Sequence, residues 1–387
     1  MRRAILPIIL LSCLLLVATE PSLYATTSQP IIVVDSFNRV VEIPEKPMRI
    51  VSLAPSITET LFAMGLGDRV VGVTSFCNYP PEVPKLVKEG KIEVVGGFTN
   101  PSLEKIVALD PDLVFAHNLL SPEFVKKLED LGIPVVAIRT PESVEEVYQT
   151  ILLIGKACGE DKKATSLVES LILKIQEWKQ RVSGVEAIDV AYVVSYGPIW
   201  IAGSGTYVDE LIKLAGGRNA FSDKTWWTSI SEEELVAKDP RILIVSDERV
   251  YEGLRDLKDK GLIHGEIKLV SPDPISRPGP RILDALEELV KAIHPEVWAR
   301  AVEAEAAQQS LLSGLSEIKA GQESLEAQLS QLASTISEEN SMLKASISDL
   351  RSLTLIALGL SILSLALIGG LLIKVKEITR RRIDEEA

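Results

Sequence analysis

Residues 49–61 have the sequence RIVSLAPSITETL, which places a short apolar strand directly before the start of a helix. The apolar residues at 50–53 are typical of a buried strand, and Pro55 and Ser56 are typical of a first helical turn. Ser56 is predicted to cap this helix ahead of Glu59. A buried strand followed at once by a helix is the repeating unit of an α/β sheet.

The same alternation continues on both sides of this segment. Upstream, two apolar β-forming stretches at 31–34 and 40–43 flank the turn residues 35–39, which predicts a β-hairpin. Strand and helix signals alternate through residues 26–142 and again through residues 184–296. The sequence therefore predicts an α/β protein with two Rossmann-like lobes and largely parallel sheets.

The two lobes are separated by a stretch that contains helix formers and no strand signal. This stretch covers residues 143–183, with Gly159 as the expected break, and it predicts one long helix or two in sequence. A helical connection of this kind is rigid. A ligand cleft is expected between two lobes joined in this way.

The N-terminal residues 1–25 have the features of an export signal. Arg2 and Arg3 precede an apolar stretch at residues 4–18, and a cleavage site is predicted after Ala25. Because the apolar stretch is short for a membrane span, we expect cleavage. The alternative is an uncleaved N-terminal anchor.

Residues 353–373 are apolar and uncharged, and a basic cluster follows within residues 374–387. About twenty apolar residues cross the hydrocarbon layer of a bilayer, and basic flanks stay on the cytoplasmic side. The sequence therefore predicts a single-pass protein of the cell membrane with a transmembrane helix and a cytoplasmic tail. Residues 26–352 would then lie in the extracellular or periplasmic space.

Residues 297–352 are rich in Ala, Glu, Gln, Ser and Leu and lack proline. Apolar residues recur there four and three apart, once Gln322 is counted with them: Leu311, Leu315, Ile318, Leu325, Leu329, Leu332 and Ile336. This spacing predicts a coiled-coil stalk with an interruption near Asn340, and with it a homo-oligomer. The alternative is a single amphipathic helix that lies on the domain.

The composition excludes several classes of function. A net charge of -13 argues against a nucleic-acid partner, which would need a basic surface. The chain has three histidines and no HExxH, CxxC, phosphate-loop or nucleophile-elbow motif, so neither a metal site, a cofactor nor an enzyme is expected.

Once the signal is removed, Cys77 and Cys158 are the remaining cysteines, and whether they pair is left open.

Several short segments follow one another in the order found in a known family. They are RIVSLAPSITETL (49–61), VGVTSFCNYPP (71–81), VGGF (95–98), LEKIVALDPDLV (103–114), LGIPV (131–135), GTYVDEL (205–211), GGRN (216–219) and RPGPR (277–281). Together they resemble the cobalamin and ferric-siderophore binding proteins of ABC importers, the class III periplasmic binding proteins. The resemblance covers residues 31–295 and leaves out the signal, the stalk and the anchor.

The resemblance implies two lobes joined by a rigid helix, small cleft motions, and delivery of a corrinoid or ferric chelate to a permease with a cytoplasmic ATPase. A lipid anchor would be replaced here by the stalk and the membrane helix. The alternative is a surface sensor or adhesin that kept the binding fold and oligomerises through its coiled coil.

Only 5% of the residues are aromatic, so their positions after strands are informative. Aromatic faces hold broad ligands, and the ends of parallel strands are where α/β proteins bind them. The predicted ligand-binding residues are Phe76, Tyr79, Phe98, His117, Tyr196, Trp200, Trp226 and Trp227. Core packing is the alternative for each. The resemblance places Phe76, Phe98, His117, Tyr196 and Trp227 near cleft positions of cobalamin binders, which often carry an aromatic ring where His117 stands.

Two further groups of charged residues are predicted to act in binding and docking. Arg277 precedes Pro278-Gly279-Pro280 and is predicted to present its guanidinium to an anionic ligand edge. The alternative for Arg277 is a surface salt bridge, and Arg281 is expected to be structural.

By the resemblance, Glu104 and Glu233 open one helix on each lobe and contact the permease. The alternative is ordinary helix-start acids, and Glu232 and Glu234 leave the choice of Glu233 open.

Overall fold

The computed structural model describes residues 29–340 and 347–384, with side chains described at residues 29–332 and 355–379. The signal peptide predicted at residues 1–25 lies outside the described residues. The chain divides into two compact units, and the boundary between them follows Glu303.

The first unit begins with the predicted hairpin. Strand β1 (Ile31–Val34) pairs antiparallel with β2 (Val40–Ile43), with Val34 opposite Val40. In the turn, the Asp35 carboxylate accepts backbone N–H groups and the Arg39 side chain. The hairpin prediction is confirmed.

Lobe one has a five-stranded parallel sheet in the order β5-β4-β3-β6-β7. Its strands are β3 (Ile50–Ser52), β4 (Val70–Val73), β5 (Glu93–Val94), β6 (Leu113–His117) and β7 (Val135–Ile138). They alternate with helices α1 (Pro55–Ala63), α2 (Glu82–Lys88), α3 (Leu103–Ala108) and α4 (Pro122–Asp130). Strands β3, β6 and β7 are buried at every position, as expected for a parallel sheet covered on both faces.

The start of helix α1 differs from the prediction. The helix begins at Pro55, and its cap position is Ala54, whose side chain makes no capping hydrogen bond. Ser56 therefore lies inside the first turn, and the predicted Ser56 cap is wrong. Proline needs no N–H partner in a first turn, so the helix can begin at Pro55, two positions earlier than a Ser56 cap implies. Glu59 is not part of a cap either; it is almost fully buried.

The predicted connection at residues 143–183 is two helices in sequence, the second of the two alternatives that the sequence allowed. Helix α5 (Val144–Ala157) packs on β1 and α1 in lobe one, and helix α6 (Asp161–Arg181) leads to lobe two. Gly159, at the predicted break, has φ +65°, a left-handed conformation that ends helices. The two helices pack against each other, so the single long helix between the lobes is α6 alone.

Lobe two has a mixed sheet in the order β11-β9-β8-β12-β13, with β10 beside the start of β8. Its strands are β8 (Ile188–Ser195), β9 (Ile199–Ala202), β10 (Gly217–Asn219), β11 (Trp227–Ile230), β12 (Ile242–Val245) and β13 (Glu266–Leu269). Its helices are α7 (Tyr207–Leu214), α8 (Glu232–Lys238), α9 (Glu248–Asp259), α10 (Pro272–Ser276) and α11 (Ile282–Ile293). Strands β9 and β11 are antiparallel additions at one edge.

One hydrophobic core runs through both lobes. It contains Ile50 and Ile57 of lobe one, Val168 of helix α6, and Val190 and Leu286 of lobe two. Burial of apolar surface across the connection stabilises it, at roughly 25 cal/mol per Å² removed from water. Helix α6 is therefore part of the core, which makes the connection stiff.

Both cysteines of the described chain are free and buried. Cys77 lies in lobe one, where Thr58 and Thr74 contact its sulfur, and Cys158 ends helix α5. The question left open by the sequence is thus answered: Cys77 and Cys158 do not pair.

Two long helices follow lobe two. Helix α12 (Pro295–Asn340) begins two residues before the predicted stalk, and its Val297 and Ala301 are buried in the core of the first unit. Helix α13 (Ile347–Asp384) contains the apolar segment Leu355–Thr379, which is long and apolar enough to cross a membrane. The described part of helix α12 reaches Asn340, and residues 341–346, next to the predicted interruption, lie outside the described residues.

Candidate ligand cleft between the lobes

The carboxyl ends of the parallel strands carry most of the predicted ligand-binding residues. In lobe one these are the segments after β4 and β5 and the last residue of β6; in lobe two they are the segments after β8 and β13. The two edges face each other, because Asn78 after β4 donates to the Asp273 carboxylate after β13, at 3.0 Å. This is the edge at which α/β proteins bind ligands.

Three of the predicted residues meet in lobe one. The ring of Phe98 lies flat on the imidazole of His117, with centroids 3.8 Å apart and planes 2° from parallel. Phe76 meets Phe98 edge to face at 6.5 Å, and more than half of its surface is exposed. We call Phe76, Phe98 and His117 the lobe-one aromatic surface.

His117 fixes the position of the Phe98 segment. Its Nδ1 accepts the Leu119 backbone N–H at 3.2 Å, so its Nε2 carries the proton and donates to the Phe98 carbonyl at 2.7 Å. Burial lowers the pKa of His117 and the Phe98 carbonyl partly opposes this shift. The imidazole is therefore neutral at neutral pH and acts as a buried support for Phe98.

The tryptophans of lobe two lie on its antiparallel edge. In the β9–β11 register, Trp227 is opposite Ala202 and Ser229 is opposite Trp200, so Trp200 and Trp227 share one face of the sheet. Tyr192 meets Trp227 edge to face at 6.4 Å on that face. Trp226 has φ 59°, a rare conformation for a bulky residue.

The backbone around Trp226 is held by the neighbouring loop. Its N–H donates to the Ser204 carbonyl at 2.9 Å, and its carbonyl accepts the Gly203 N–H at 2.8 Å. Gly203 has no room for a Cβ, which would lie 2.7 Å from the Lys224 carbonyl oxygen. We call Trp200, Trp226 and Trp227, all of them exposed, the lobe-two tryptophan surface.

Tyr196 is placed differently from the tryptophans. Its hydroxyl donates to the Glu232 carboxylate at 2.9 Å, and its ring fills the space beside Gly253. It packs with the second core cluster, beneath helices α8 and α9. Burial, followed by the nearby Glu232, raises the pKa of Tyr196 to about 12, so it is neutral. In the described contacts it joins helix α8 to the sheet.

Arg277 and Arg281 of lobe two reach across to lobe one. Arg277 Nη1 lies 2.6 Å from Asn78 Oδ1 and 3.2 Å from Glu59 Oε1, and its Nη2 binds Asp273 at 2.7 Å. Arg281 lies 3.7 Å from Glu59, and its guanidinium covers the ring of Tyr79 at 3.9 Å. We call these residues the inter-lobe cluster: Glu59, Asn78, Tyr79, Asp273, Arg277 and Arg281.

Glu59 is the buried centre of the inter-lobe cluster. Only 1% of its side chain is exposed, and its Oε2 has no hydrogen-bond partner among the residues whose side chains are described. Burial raises the pKa of Glu59 to about 7, although Arg281 and Arg277 pull it down. The cost of removing the carboxylate from water therefore exceeds the attraction of the two arginines.

Sequence reasoning missed half of this cluster. Glu59 was considered only in relation to a cap, and Asn78 and Asp273 were not considered. Arg281, expected to be structural, contacts Glu59, Asp284 and the Tyr79 ring. A signal did exist for Glu59, because it is the only charged residue in a helix that is otherwise apolar or neutral. A helix of that kind is buried all round, so its one acid needs partners. The role of Arg277 toward an anionic ligand stays a prediction.

The two predicted docking acids are exposed on short helices. Glu104 lies in the first turn of α3, which Ser102 caps, and Glu233 lies in the first turn of α8. Around it, Glu232 accepts from Tyr196, and Glu234 accepts from Lys224 and completes a capping box with Ser231. Hydrogen bonds from its own backbone N–H and from Ser231 lower the pKa of Glu233. Of the three acids, Glu233 is thus the one not held by another element.

Among the residues that the structure describes, no group of three or more His, Cys, Asp or Glu side chains could hold a metal ion.

Comparisons with known proteins identify the family to which the two lobes belong. The family model described as "Periplasmic binding protein" matches residues 50–263. An uncharacterized ABC transporter substrate-binding lipoprotein of Bacillus subtilis, YvrC, is 36% identical over 281 residues, which cover 70% of this chain and 87% of that protein. A cobalamin-binding protein of Halobacterium salinarum is 27% identical over 281 residues, covering 69% of this chain and 75% of that one.

The fold also matches solved structures. A possible iron-binding periplasmic solute-binding protein from Staphylococcus epidermidis aligns with a TM-score of 0.58 at 30% identity, and the alignment covers 65% of this chain and 100% of the other. The matched part corresponds in extent to the two lobes. The chain therefore belongs to the periplasmic binding protein family, as a class III substrate-binding protein of an ABC transporter, and is a binding protein and not an enzyme.

Proposed function

We propose that this chain captures a corrinoid or a ferric chelate between its lobes and delivers it to the permease of an ABC importer. The observation that carries the choice of ligand is the pair of aromatic surfaces, one on each lobe. Phe76 is exposed on lobe one, and three half-exposed tryptophans lie on lobe two. Flat apolar faces suit a ligand with a broad ring system, such as a corrin or a porphyrin.

The relatives support the same two ligand classes. One is named a cobalamin-binding protein, and another is described as possibly iron-binding. Because His117 is neutral and both of its ring nitrogens are engaged, we propose that it shapes the surface beneath Phe98 and does not ligate iron.

We propose further that helix α13 anchors the protein in the membrane. The candidate span Leu355–Thr379 has 25 residues, and its uncharged part, residues 355–373, is long enough to cross the hydrocarbon layer at about 1.5 Å per residue. The basic residues that follow residue 373 favour a cytoplasmic C-terminus. The lobes then lie in the extracellular or periplasmic space, with helix α12 as the stalk.

Docking on the permease is assigned to Glu104 and Glu233. Each is an exposed acid at the start of a helix, one on each lobe, where a partner with two basic sites can meet both.

The exposed apolar residues of α12, among them Ile318, Leu325 and Leu332, are assigned to a coiled coil with other copies of the chain.

The proposed ligand is tested by titrating the full-length protein in detergent micelles with cobalamin, haem and ferric siderophores. Isothermal titration calorimetry gives the affinity, and quenching of tryptophan fluorescence reports on the lobe-two tryptophan surface. We expect at least one of these ligands to bind with a dissociation constant in the micromolar range or below, about −8 kcal/mol or stronger. Absence of binding to all three classes would disprove the ligand assignment while leaving the family membership intact.

A further inference from the structure

The inter-lobe cluster is a second connection between the lobes, in addition to the helical one. Helix α6 joins the lobes through the continuous core, whereas the cluster joins them through side chains alone. The inter-lobe contacts within the cluster all involve Arg277 or Arg281, except for the hydrogen bond between Asn78 and Asp273. A connection made of charges responds to a change in charge, and a connection made of core packing does not.

The charges that face Glu59 come from lobe two. Arg277 follows α10, Arg281 precedes α11, and Asp273 lies in α10 and binds Arg277. Asp284, on α11, binds Arg281 Nε at 3.0 Å. Each arginine thus has an acid of its own in lobe two, so neither depends on Glu59 for its only partner.

The lobe-one side adds no further charge to Glu59. Cys77 lies nearby, and burial raises its pKa, so its thiol stays neutral. Tyr79 and Asn78 are polar and uncharged partners of the two arginines. The charge state of the contact is therefore set by Glu59 itself.

The geometry leaves ionised Glu59 poorly satisfied. Its Oε1 faces both arginines, but its Oε2 is buried and has no partner among the residues with described side chains. A charged oxygen without a hydrogen bond in a buried place is costly, and a protonated carboxyl group is much less so. Separating the lobes would let water reach Oε2.

We propose that the inter-lobe cluster is a proton-linked clasp: protonated Glu59 keeps the lobes in the contact described here, and ionised Glu59 loosens it. The sign follows from linkage. The buried carboxyl has a pKa of about 7, above the ordinary value of 4.5 that it regains when water reaches it. Raising the pH through this window removes the proton that the closed contact retains, and so favours the open arrangement.

The clasp deepens the proposed function, because lobes that separate more easily give a ligand freer entry to the cleft. Its test needs no ligand, so a failure of the clasp and a failure of the ligand assignment are distinguishable. The full-length protein in detergent is labelled with a fluorophore pair at Lys126→Cys in lobe one and Arg249→Cys in lobe two, both highly exposed. Cys77 and Cys158 are buried, and background labelling is checked with the protein that lacks the introduced cysteines.

Energy transfer between the labels is followed from about 1.5 units below pH 7 to about 1.5 units above it. Across this range a carboxyl group with a pKa of about 7 changes from almost fully protonated to almost fully ionised. We expect less transfer, and a broader distance distribution, at the alkaline end. Glu59→Gln, which is neutral at every pH, is expected to keep the acidic distribution throughout. Glu82→Gln, an exposed acid on helix α2, is the matched control and is expected to behave as the unsubstituted protein.

Arg277→Gln provides a test that does not depend on the folding of the Glu59 variant. Arg277 lowers the pKa of Glu59, so its loss is expected to move the transition to higher pH. Transfer that is constant across the range, or that changes equally in Glu59→Gln, would overturn the proposal. More transfer at the alkaline end would also overturn it, because attraction by the arginines would then exceed the cost of burial.

Discussion

Phe98 and His117 are stacked with their rings 3.8 Å apart, and the same imidazole also donates a hydrogen bond to the Phe98 carbonyl. One buried side chain thus holds both the ring and the backbone of its neighbour. Phe98 in turn supports the exposed Phe76. This relationship links a buried histidine to the surface proposed to meet the ligand, and it makes the consequences of changing His117 predictable.

The first prediction concerns pH and His117. Burial lowers the pKa of His117 in the folded chain below the ordinary 6.5. As the pH falls below about 6.5, this histidine therefore becomes protonated in the unfolded chain before it does in the folded chain. His117 therefore costs stability on the acidic side. His117→Gln, which titrates in neither state, is expected to show a smaller loss of melting temperature between neutral and mildly acidic pH. Differential scanning calorimetry measures this.

Glu59 gives the matched comparison for the same experiment. Its folded pKa is raised, so its contribution to stability is present at acidic pH and is lost as the pH rises through about 7. Glu59→Gln is thus expected to change the pH dependence in the opposite direction to His117→Gln. If the two variants shift it in the same direction, the assignment of the variant with the unexpected sign is wrong.

The second prediction concerns the lobe-two tryptophan surface. Trp227→Ala is expected to weaken ligand binding by about 1–3 kcal/mol without unfolding the protein, because it removes an exposed aromatic face and no buried core. Calorimetric titration of the full-length protein measures the affinity, and far-UV circular dichroism checks the fold. Phe37→Ala, an equally exposed aromatic in the β1–β2 turn, is the control. An unchanged affinity in the double variant of Trp226 and Trp227 would remove both residues from the site.

The third prediction concerns transport. Glu104→Ala and Glu233→Ala together are expected to leave ligand affinity unchanged and to slow uptake at limiting ligand, since charged rims govern encounter between proteins. Uptake of labelled ligand into cells or proteoliposomes carrying the importer measures this. Glu123→Ala and Glu248→Ala are the matched pair of exposed helix-start acids, one on each lobe. If the two pairs transport equally well, the docking assignment is wrong.

The fourth prediction concerns the stalk. A lone helix would leave Leu325 and Leu329 in water, so the full-length protein in detergent is expected to self-associate at tens of micromolar, roughly where weak coiled coils assemble. Sedimentation velocity is expected to show monomers for the pair Leu325→Lys and Leu329→Lys. Ser330→Lys, one position off the apolar seam, is the control. A monomeric unsubstituted protein would make α12 a spacer instead of an oligomerisation device.

The sequence by itself determined the parts that depend on local pattern. The β1–β2 hairpin and the two α/β lobes were predicted from periodicity and turn residues, which act over a few positions. The apolar segment in α13 was predicted from an uninterrupted run of uncharged residues. Gly159 was recognised as a break, but the sequence did not decide between one helix and two. That choice depended on whether α5 could pack back on α6. The close fit of Gly155 against Ala164, where an added Cβ would lie 2.2 Å away, settled it.

Only the tertiary structure decided which residues meet across the lobes. Glu59 and Arg277 are 218 positions apart, and no local pattern relates them. The tertiary structure also showed that His117 is a buried support, that Tyr196 serves helix α8, and that the two cysteines are separate. Burial and charge partners are properties of the folded arrangement, because a side chain loses water only when distant segments close over it. The sequence thus gives the chemical type of each side chain, whereas the fold decides its protonation state and its partners.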